Sequence, residues 1–304
     1  MDVVILNYNS SNDTLKLLNN LVEIPNSINH IVIVDNKSNN NERIHLDREV
    51  SLLKSKIHSP KISILLNEEN KGYAYGNNVG LKYLENDDTK DGLVAIMNPD
   101  IFIEKDQLEG LVYNYSLAEE RHGENSIGII SPWVINSGET GLVAWKMPNF
   151  VSDLIAASSI LKKIIGNKLQ YKNLDRNSGI KVVDVLPGSF LLINKSALKE
   201  VGYLDDSTFL YCEERILSSK MQRHGYINIL DTNHYYYHEH SKTINKFLGA
   251  IKKINFLYDG KKIYYIKEKK SPLQGNVISS LRVLTKLEYI SISFLKFLIN
   301  KMKG

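Results

Sequence analysis

Cysteine is almost missing from this chain: Cys212 is the single one in 304 residues. No disulfide framework is available, and a reducing compartment fits. No uninterrupted apolar run approaches the ~18 residues of a membrane-spanning helix. The amino terminus enters an apolar strand at Val3 without the basic region or cleavage site of a secretory signal. The expected location is therefore the cytoplasm, or the cytosolic face of a membrane. A G-x-G-x-x-G turn is also lacking after the first apolar run, where the chain reads Asn7-Tyr8-Asn9-Ser10. That argues against a dinucleotide-binding fold and against a nucleotidyltransferase, which would need a Gly-rich basic loop there. Internal repeats and long low-complexity tracts are absent, and the Asn-rich stretch 36–41 reads as a loop.

What is present is an ordinary globular composition, 43% hydrophobic and 24% charged, sufficient for one large or two modest domains with a substantial core. The net charge of +4 hides an asymmetry. From Lys242 onward there are 14 basic against 3 acidic residues, whereas the first 241 residues hold 24 against 31. A basic tail on an acidic body suggests a negatively charged partner surface and a boundary near Ser241.

Short β-branched-rich apolar runs recur at 3–6, 31–34, 62–66, 94–97, 127–130, 182–186, 190–193 and 227–230, and each reads as a strand. Asn12-Asp13-Thr14, followed by Leu15, Leu18, Leu21 and Val22, predicts a capped amphipathic helix. A second helix is expected after Asn77, with Leu81 and Leu84 facing inward. The alternation implies right-handed crossovers and a mostly parallel sheet. Residues 138–179 give no clear period and read as loops plus a helix near 154–165 that cover the site.

The chemistry-bearing residues sit where strands end. The run Leu93–Met97 stops at Asn98-Pro99-Asp100, and proline, having no N–H, cannot extend a ladder. Asp100 is thus displayed at a carboxyl end, where open α/β sheets bind ligands, although these residue types also form plain turns. Asp35, ending the second strand, either accepts hydrogen bonds from a base or ribose or caps the next helix. The stretch Asn70–Gly80 carries glycines that permit close backbone approach, and Lys71 and a helix amino end that can meet phosphate; it reads equally as a solvated loop.

Together these pieces resemble the family 2 glycosyltransferases with the GT-A fold. The series is Val4–Asn9 (VILNYN), Ile33–Ser38 (IVDNKS), Asn70–Asn77 (NKGYAYGN), Asn98-Pro99-Asp100, Leu186–Phe190 (LPGSF), Phe209–Glu214 (FLYCEE) and His238–Ser241 (HEHS). It spans residues 1 to about 243, and is most similar to the rhamnosyltransferase-like branch that builds O-antigen or capsule chains. The resemblance implies a GT-A catalytic domain over 1–241, with nucleotide-sugar binding in 1–100 and the acceptor and catalytic part in 101–241, followed by a basic helical extension over 242–304. It implies an inverting transfer from a nucleotide-sugar donor, aided by Mg²⁺ or Mn²⁺. The donor side would use Asn7, Asn9, Asp35, Ser38, Asn70, Lys71, Gly72, Asn77, Asn98 and Asp100, and the metal would meet Asp100 and His238. Gly188, Ser189 and His240 would face the acceptor. Glu214, with Glu213 next, would be the base. Two departures stand out: Glu214 occupies the family's aspartate position, and Ile216 a further acidic one. A single carboxylate beside a diphosphate suffices for such a metal, and glutamate can serve as a base where geometry allows.

The tail carries Leu284, Leu287, Ile290, Phe294, Phe297 and Leu298 at helical spacing, interspersed with Lys286, Lys296, Lys301 and Lys303. It reads either as a core-packing helix or as an amphipathic helix on anionic lipid, and it carries no nucleic-acid recognition motif. The expected function is transfer of a sugar, best matched by L-rhamnose from dTDP-rhamnose, to a growing lipid-linked surface glycan. Galactose, glucose, N-acetylglucosamine or galactofuranose transfer, and a catalytically inert assembly subunit, are the alternatives; whether the chain forms a homodimer is left open.

Overall fold

The computed structural model describes residues 1–24, 27–85, 92–136, 142–165, 169–171, 173–239 and 249–303. Its amino half alternates strands and helices: β1 (Asp2–Asn7), α1 (Ser11–Val22), β2 (His30–Asp35), α2 (Asn40–Lys54), β3 (Lys61–Leu66), α3 (Tyr73–Glu85) and β4 (Leu93–Met97). The order β3-β2-β1-β4 is parallel throughout. Successive residues point to opposite faces. Val3, Ile5, Ile31 and Ile33 therefore join one core cluster with α1, while Val4, Val32 and Val34 join another with α3. Burial on both faces explains the unbroken apolar runs.

The second half is mixed. It holds β5 (Ile101–Phe102), α4 (Lys105–His122), β6 (Ile127–Asn136), α5 (Phe150–Ala156), α6 (Ser159–Ile165), β7 (Ile180–Val183), β8 (Phe190–Asn194), α7 (Lys195–Glu200), α8 (Glu213–Arg223) and β9 (Ile227–His238). Here β8 runs antiparallel to β4 and β6, and β9 pairs with β6 in parallel but with β5 and β7 antiparallel. The parallel expectation thus describes the first four strands, where helical crossovers are visible in the sequence.

Helix starts differ from expectation for identifiable reasons. Helix α1 begins at Ser11 and encloses Asn12–Thr14 in its first turn; Thr14 spends its hydroxyl on Asn7 Oδ1, at 2.8 Å, instead of capping. The Asn-rich stretch ends in a helix, because Asn39 accepts the Glu42 N–H as the cap of α2. Helix α3 begins at Tyr73, five residues early, since the Tyr73 N–H is held at 2.8 Å by the Phe209 carbonyl. The aperiodic middle region forms two short helices in place of one.

Past the segment that contains Ser241, which lies outside the described residues, come α9 (Ala250–Lys267), α10 (Pro272–Ser280) and α11 (Arg282–Lys303). Tyr258, Tyr264 and Tyr265 of α9 share a core cluster with Ile216 of α8 and Ala157. Ile216 is fully buried there, so an acid at that position would meet tyrosine rings. A buried ion cluster reinforces the contact. Arg215 donates to Asp153 Oδ2 at 2.6 Å, Lys261 Nζ lies 3.1 Å from Asp153 Oδ1, and the Tyr265 hydroxyl donates to Oδ2 at 2.7 Å. Burial alone would raise the Asp153 carboxyl, but Arg215 and Lys261 hold it below the usual aspartate value. Asp153→Ala leaves two buried cations without a counter-charge, so stability should fall by about 3–5 kcal/mol; an unchanged denaturation midpoint would contradict that arrangement.

Helix α11 docks through polar groups. Thr285 donates to the Ala157 carbonyl at 2.7 Å, and Glu288 accepts the backbone N–H groups of Ser159 and Ile160. The Glu288 carboxylate therefore caps the amino end of α6, where the helix dipole favours negative charge.

Candidate active site

Three groups of residues meet at the carboxyl ends of β1, β2 and β4. In register, Asn7 of β1 faces Asp35 of β2. Asn7 Nδ2 donates to Asp35 Oδ2 at 2.8 Å, while Asp35 Oδ1 accepts the Ser38 N–H at 3.0 Å and Arg43 Nε at 2.7 Å. Asp35 and Asn7 are fully buried. Their polar atoms therefore organise the strand ends. Asn9, in the left-handed region at φ 50°, places its N–H on Ser38 Oγ at 2.8 Å and its Oδ1 on the Asn39 N–H. Asn36 then carries the network onward. It accepts from Asn67 and donates to Asn70 Oδ1 at 2.9 Å and to the Gly72 carbonyl at 3.1 Å. Arg43, Asn36 and Asn67 were not foreseen. The regular placement of polar residues after β2 and β3 was their only sequence signal.

The glycine loop is stitched to the far side of the site. Gly72 has φ +102°, and a Cβ there would fall 2.3 Å from the Phe209 carbonyl oxygen, so no larger residue fits. Asn77 is fully buried; its Nδ2 donates to the Tyr73 carbonyl within α3, and its Oδ1 has no partner. Lys71 is half-exposed, 3.4 Å from Glu69 and over the Tyr75 ring.

Asp100 and His238 are joined by the β5–β9 register, which sets Ile101 opposite His238. His238 Nε2 lies 3.2 Å from Asp100 Oδ1. Both line a cavity of about 370 Å³ with Asp13, Phe102, Asn136 and Tyr237. Among the described residues no cluster of three or more acidic, His or Cys side chains could hold a metal by itself. The pair still fits Mg²⁺ or Mn²⁺, which need few protein ligands when a diphosphate and water complete the shell. His240 lies outside the described residues.

The carboxylate pair stands on a strained turn. Tyr211 and Cys212 have φ of 74° and 71°, conformations that cost non-glycine residues about 1–2 kcal/mol each. Glu213 and Glu214 follow as the first turn of α8, where the helix dipole favours negative charge. The turn is braced by α9: Gly260 packs so closely that a Cβ would be 2.7 Å from the Tyr211 carbonyl oxygen, and Phe256 stacks on Phe209 at 4.6 Å. Burial pushes the Cys212 thiol up to about 12, so it is no nucleophile at neutral pH. Glu213 is buried with Oε1 unpartnered, whereas Glu214 is half-buried. Burial raises both carboxyls above the usual glutamate value, and for Glu213 the neighbouring Glu214 charge adds to it. One proton shared between adjacent carboxyls is the expected outcome.

Tyr73 connects these groups. Its hydroxyl donates to the Gly188 carbonyl at 2.8 Å and lies 3.2 Å from Asn98 Oδ1. Burial and the two glutamates push that hydroxyl upward in pKa, which keeps it a neutral donor. A methyl group on Gly188 would lie 3.9 Å from Glu214 Oε2. Ser189 pairs with the Tyr236 hydroxyl at 2.6 Å, and its carbonyl accepts the Asn98 N–H at 2.9 Å. The Asn-Pro-Asp strand end, the Gly188–Ser189 loop and the carboxylate turn therefore form one continuous wall.

The chain is similar to several known proteins in sequence and fold. The sequence profile of Glycosyl transferase family 2 matches residues 2–202. The low-salt glycan biosynthesis hexosyltransferase Agl10 of Haloferax volcanii is 26% identical over 214 residues, covering 70% of this chain and 59% of that protein. The rhamnosyltransferase WbbL of Escherichia coli K12 is 23% identical over 197 residues, covering 63% and 71%. Among solved structures, the mannosyltransferase PcManGT of Pyrobaculum calidifontis, in complex with GDP-Man and Mn²⁺, superposes with a TM-score of 0.58 at 13% identity, over 93% of this chain and 69% of that one. GalNAc-T7, with UDP, GalNAc and Mn²⁺, superposes at 0.62 and 14% identity, over 88% and 48%. At such identities the likeness establishes the GT-A fold.

Proposed function

The chain belongs to glycosyl transferase family 2, and on that premise we propose that it transfers a sugar, with inversion, from a nucleotide-diphosphate donor to a growing, lipid-linked surface glycan. The observation that carries this reading is the Tyr73 bridge, which sets the Asn98–Asp100 strand end beside the Glu214 carboxylate. An inverting transfer needs one base on the acceptor side and charge neutralisation on the leaving-group side. Glu214, half-buried and aimed toward Gly188, takes the proton of the acceptor hydroxyl as that oxygen attacks the anomeric carbon opposite the diphosphate. Its raised pKa makes it a stronger base than a free glutamate. Asp100 and His238 would hold Mg²⁺ or Mn²⁺, which neutralises charge developing on the diphosphate. Asn9, Asn70 and the loop at Gly72 shape the nucleotide pocket, with Asp35 and Asn7 fixing them from beneath.

L-rhamnose from dTDP-rhamnose is the proposed donor. Asn98, in place of an aspartate, and the likeness to a rhamnosyltransferase support it. The lipid-linked acceptor goes with peripheral attachment to an anionic, cytosolic membrane surface; among the described residues no helix is long and apolar enough to cross a membrane. The test is a panel of nucleotide sugars with released nucleoside diphosphate as readout. Fastest release from dTDP-rhamnose is expected. Preference for another sugar would overturn the donor assignment, and silence with every donor would favour an inert assembly subunit.

A further inference from the structure

Helix α11 docks on the body by polar residues of its first half, and its apolar side chains stay exposed along its length. At 3.6 residues per turn, Val283, Leu287, Ile290, Phe294 and Phe297 form one stripe, and Thr285 and Glu288, the residues that dock on the body, fall on the opposite side. The stripe is left bare, with Phe294 59% and Phe297 61% exposed. Glu288 also fixes α6 beside α11, and α6 exposes Ile160, Leu161, Ile164 (75%) and Ile165 around Lys162 and Lys163.

We propose that α6 and the apolar stripe of α11 form one composite surface that docks on an anionic lipid bilayer. This rests on the glycosyltransferase reading only in giving the enzyme a lipid-linked acceptor. Charge selects the occupant. Lys162, Lys163, Lys286 and Lys301 lie beside or among the apolar side chains, and the segment beyond residue 241 carries 14 basic against 3 acidic residues. A second copy pressed on this face would set cations against cations, whereas an anionic leaflet meets them favourably while its acyl boundary receives the isoleucines and phenylalanines. Membrane attachment therefore uses two segments separated by more than 100 residues, and the tail alone is insufficient.

The experiment is co-sedimentation of the full chain with phosphatidylglycerol or phosphatidylcholine vesicles. Binding to phosphatidylglycerol, weakened by salt, is expected. Ile164→Asp and Phe294→Asp, both on exposed positions, should each reduce partitioning at least tenfold. Lys162→Gln with Lys163→Gln should reduce it by about fivefold per charge, with melting curves unchanged. If the α6 variants bind like wild type while Phe294→Asp does not, the composite surface is wrong. A dimer in lipid-free solution that both aspartate variants dissolve would assign the face to a second copy and overturn the proposal. Released nucleoside diphosphate, measured without vesicles, separates the two readings. Turnover without vesicle binding sinks the surface alone, and vesicle binding without turnover sinks the enzyme reading alone.

Discussion

Glu214→Gln should lower turnover by roughly 10²-fold or more, with donor binding retained. The substitution keeps size and polarity but removes proton acceptance. Glu213→Gln should keep substantial activity, because its carboxylate is buried with Oε1 unpartnered, whereas Glu214 lies against Gly188. The pH dependence follows from sign. A base must be ionised, and both carboxyls are raised, so the rate should climb as pH rises through a range above that of an ordinary glutamate. Burial is what raises Glu214, so Glu213→Gln should leave that limb above the ordinary glutamate range. Stability runs the other way. A carboxyl raised in the folded state stabilises the fold below its unfolded pKa, and that contribution is lost as pH rises through the folded value. Glu213→Gln should therefore be more stable than wild type above neutral pH. If Glu213→Gln is the dead variant and Glu214→Gln is active, the roles are exchanged.

Asp100→Ala should abolish measurable transfer, and EDTA should inhibit the wild type. The carboxylate pairs with His238 at 3.2 Å on the rim of a cavity of about 370 Å³, so its loss removes the hard oxygen ligand that Mg²⁺ or Mn²⁺ requires. His238→Ala should weaken metal dependence less, since water can replace an imidazole more readily than a charge. Titration of Mn²⁺ in the presence of nucleoside diphosphate should show tight binding to wild type and none to Asp100→Ala. Full activity of Asp100→Ala in EDTA would sink the assignment.

The amino half of this fold is legible because parallel strands buried on both faces leave runs such as Ile31–Val34 that nothing else explains, and polar residues end them abruptly. The pairing of Asp100 with Glu214's wall was legible only through motif order, since no local pattern announces that Tyr73 reaches both Asn98 and Gly188. Asp35 shows the limit of reading a strand-end carboxylate: its position was evident, but its saturation depends on the side chains of Asn7 and Arg43, from two other elements, and the Ser38 backbone N–H. Asp153 and Lys261 gave no signal at all. Each lies in a segment without usable periodicity, and only the tertiary fold makes them neighbours of Arg215. The apolar stripe of α11 was visible in sequence, but its direction was not, because orientation is set by Thr285 and Glu288.

The cluster of Arg215, Asp153 and Lys261 also constrains how the protein comes into being. Domains fold as the chain emerges from the ribosome, amino-terminal parts first, and β1 to β9 use nothing beyond residue 238. The strained turn at Tyr211–Cys212, in contrast, leans on Gly260, and Phe209 just before it on Phe256. A nascent chain released after β9 should therefore hold a formed sheet and a shaped nucleotide pocket beside a carboxylate pair with no brace behind it. Competence for transfer should arrive late in synthesis, when α9 closes over the turn.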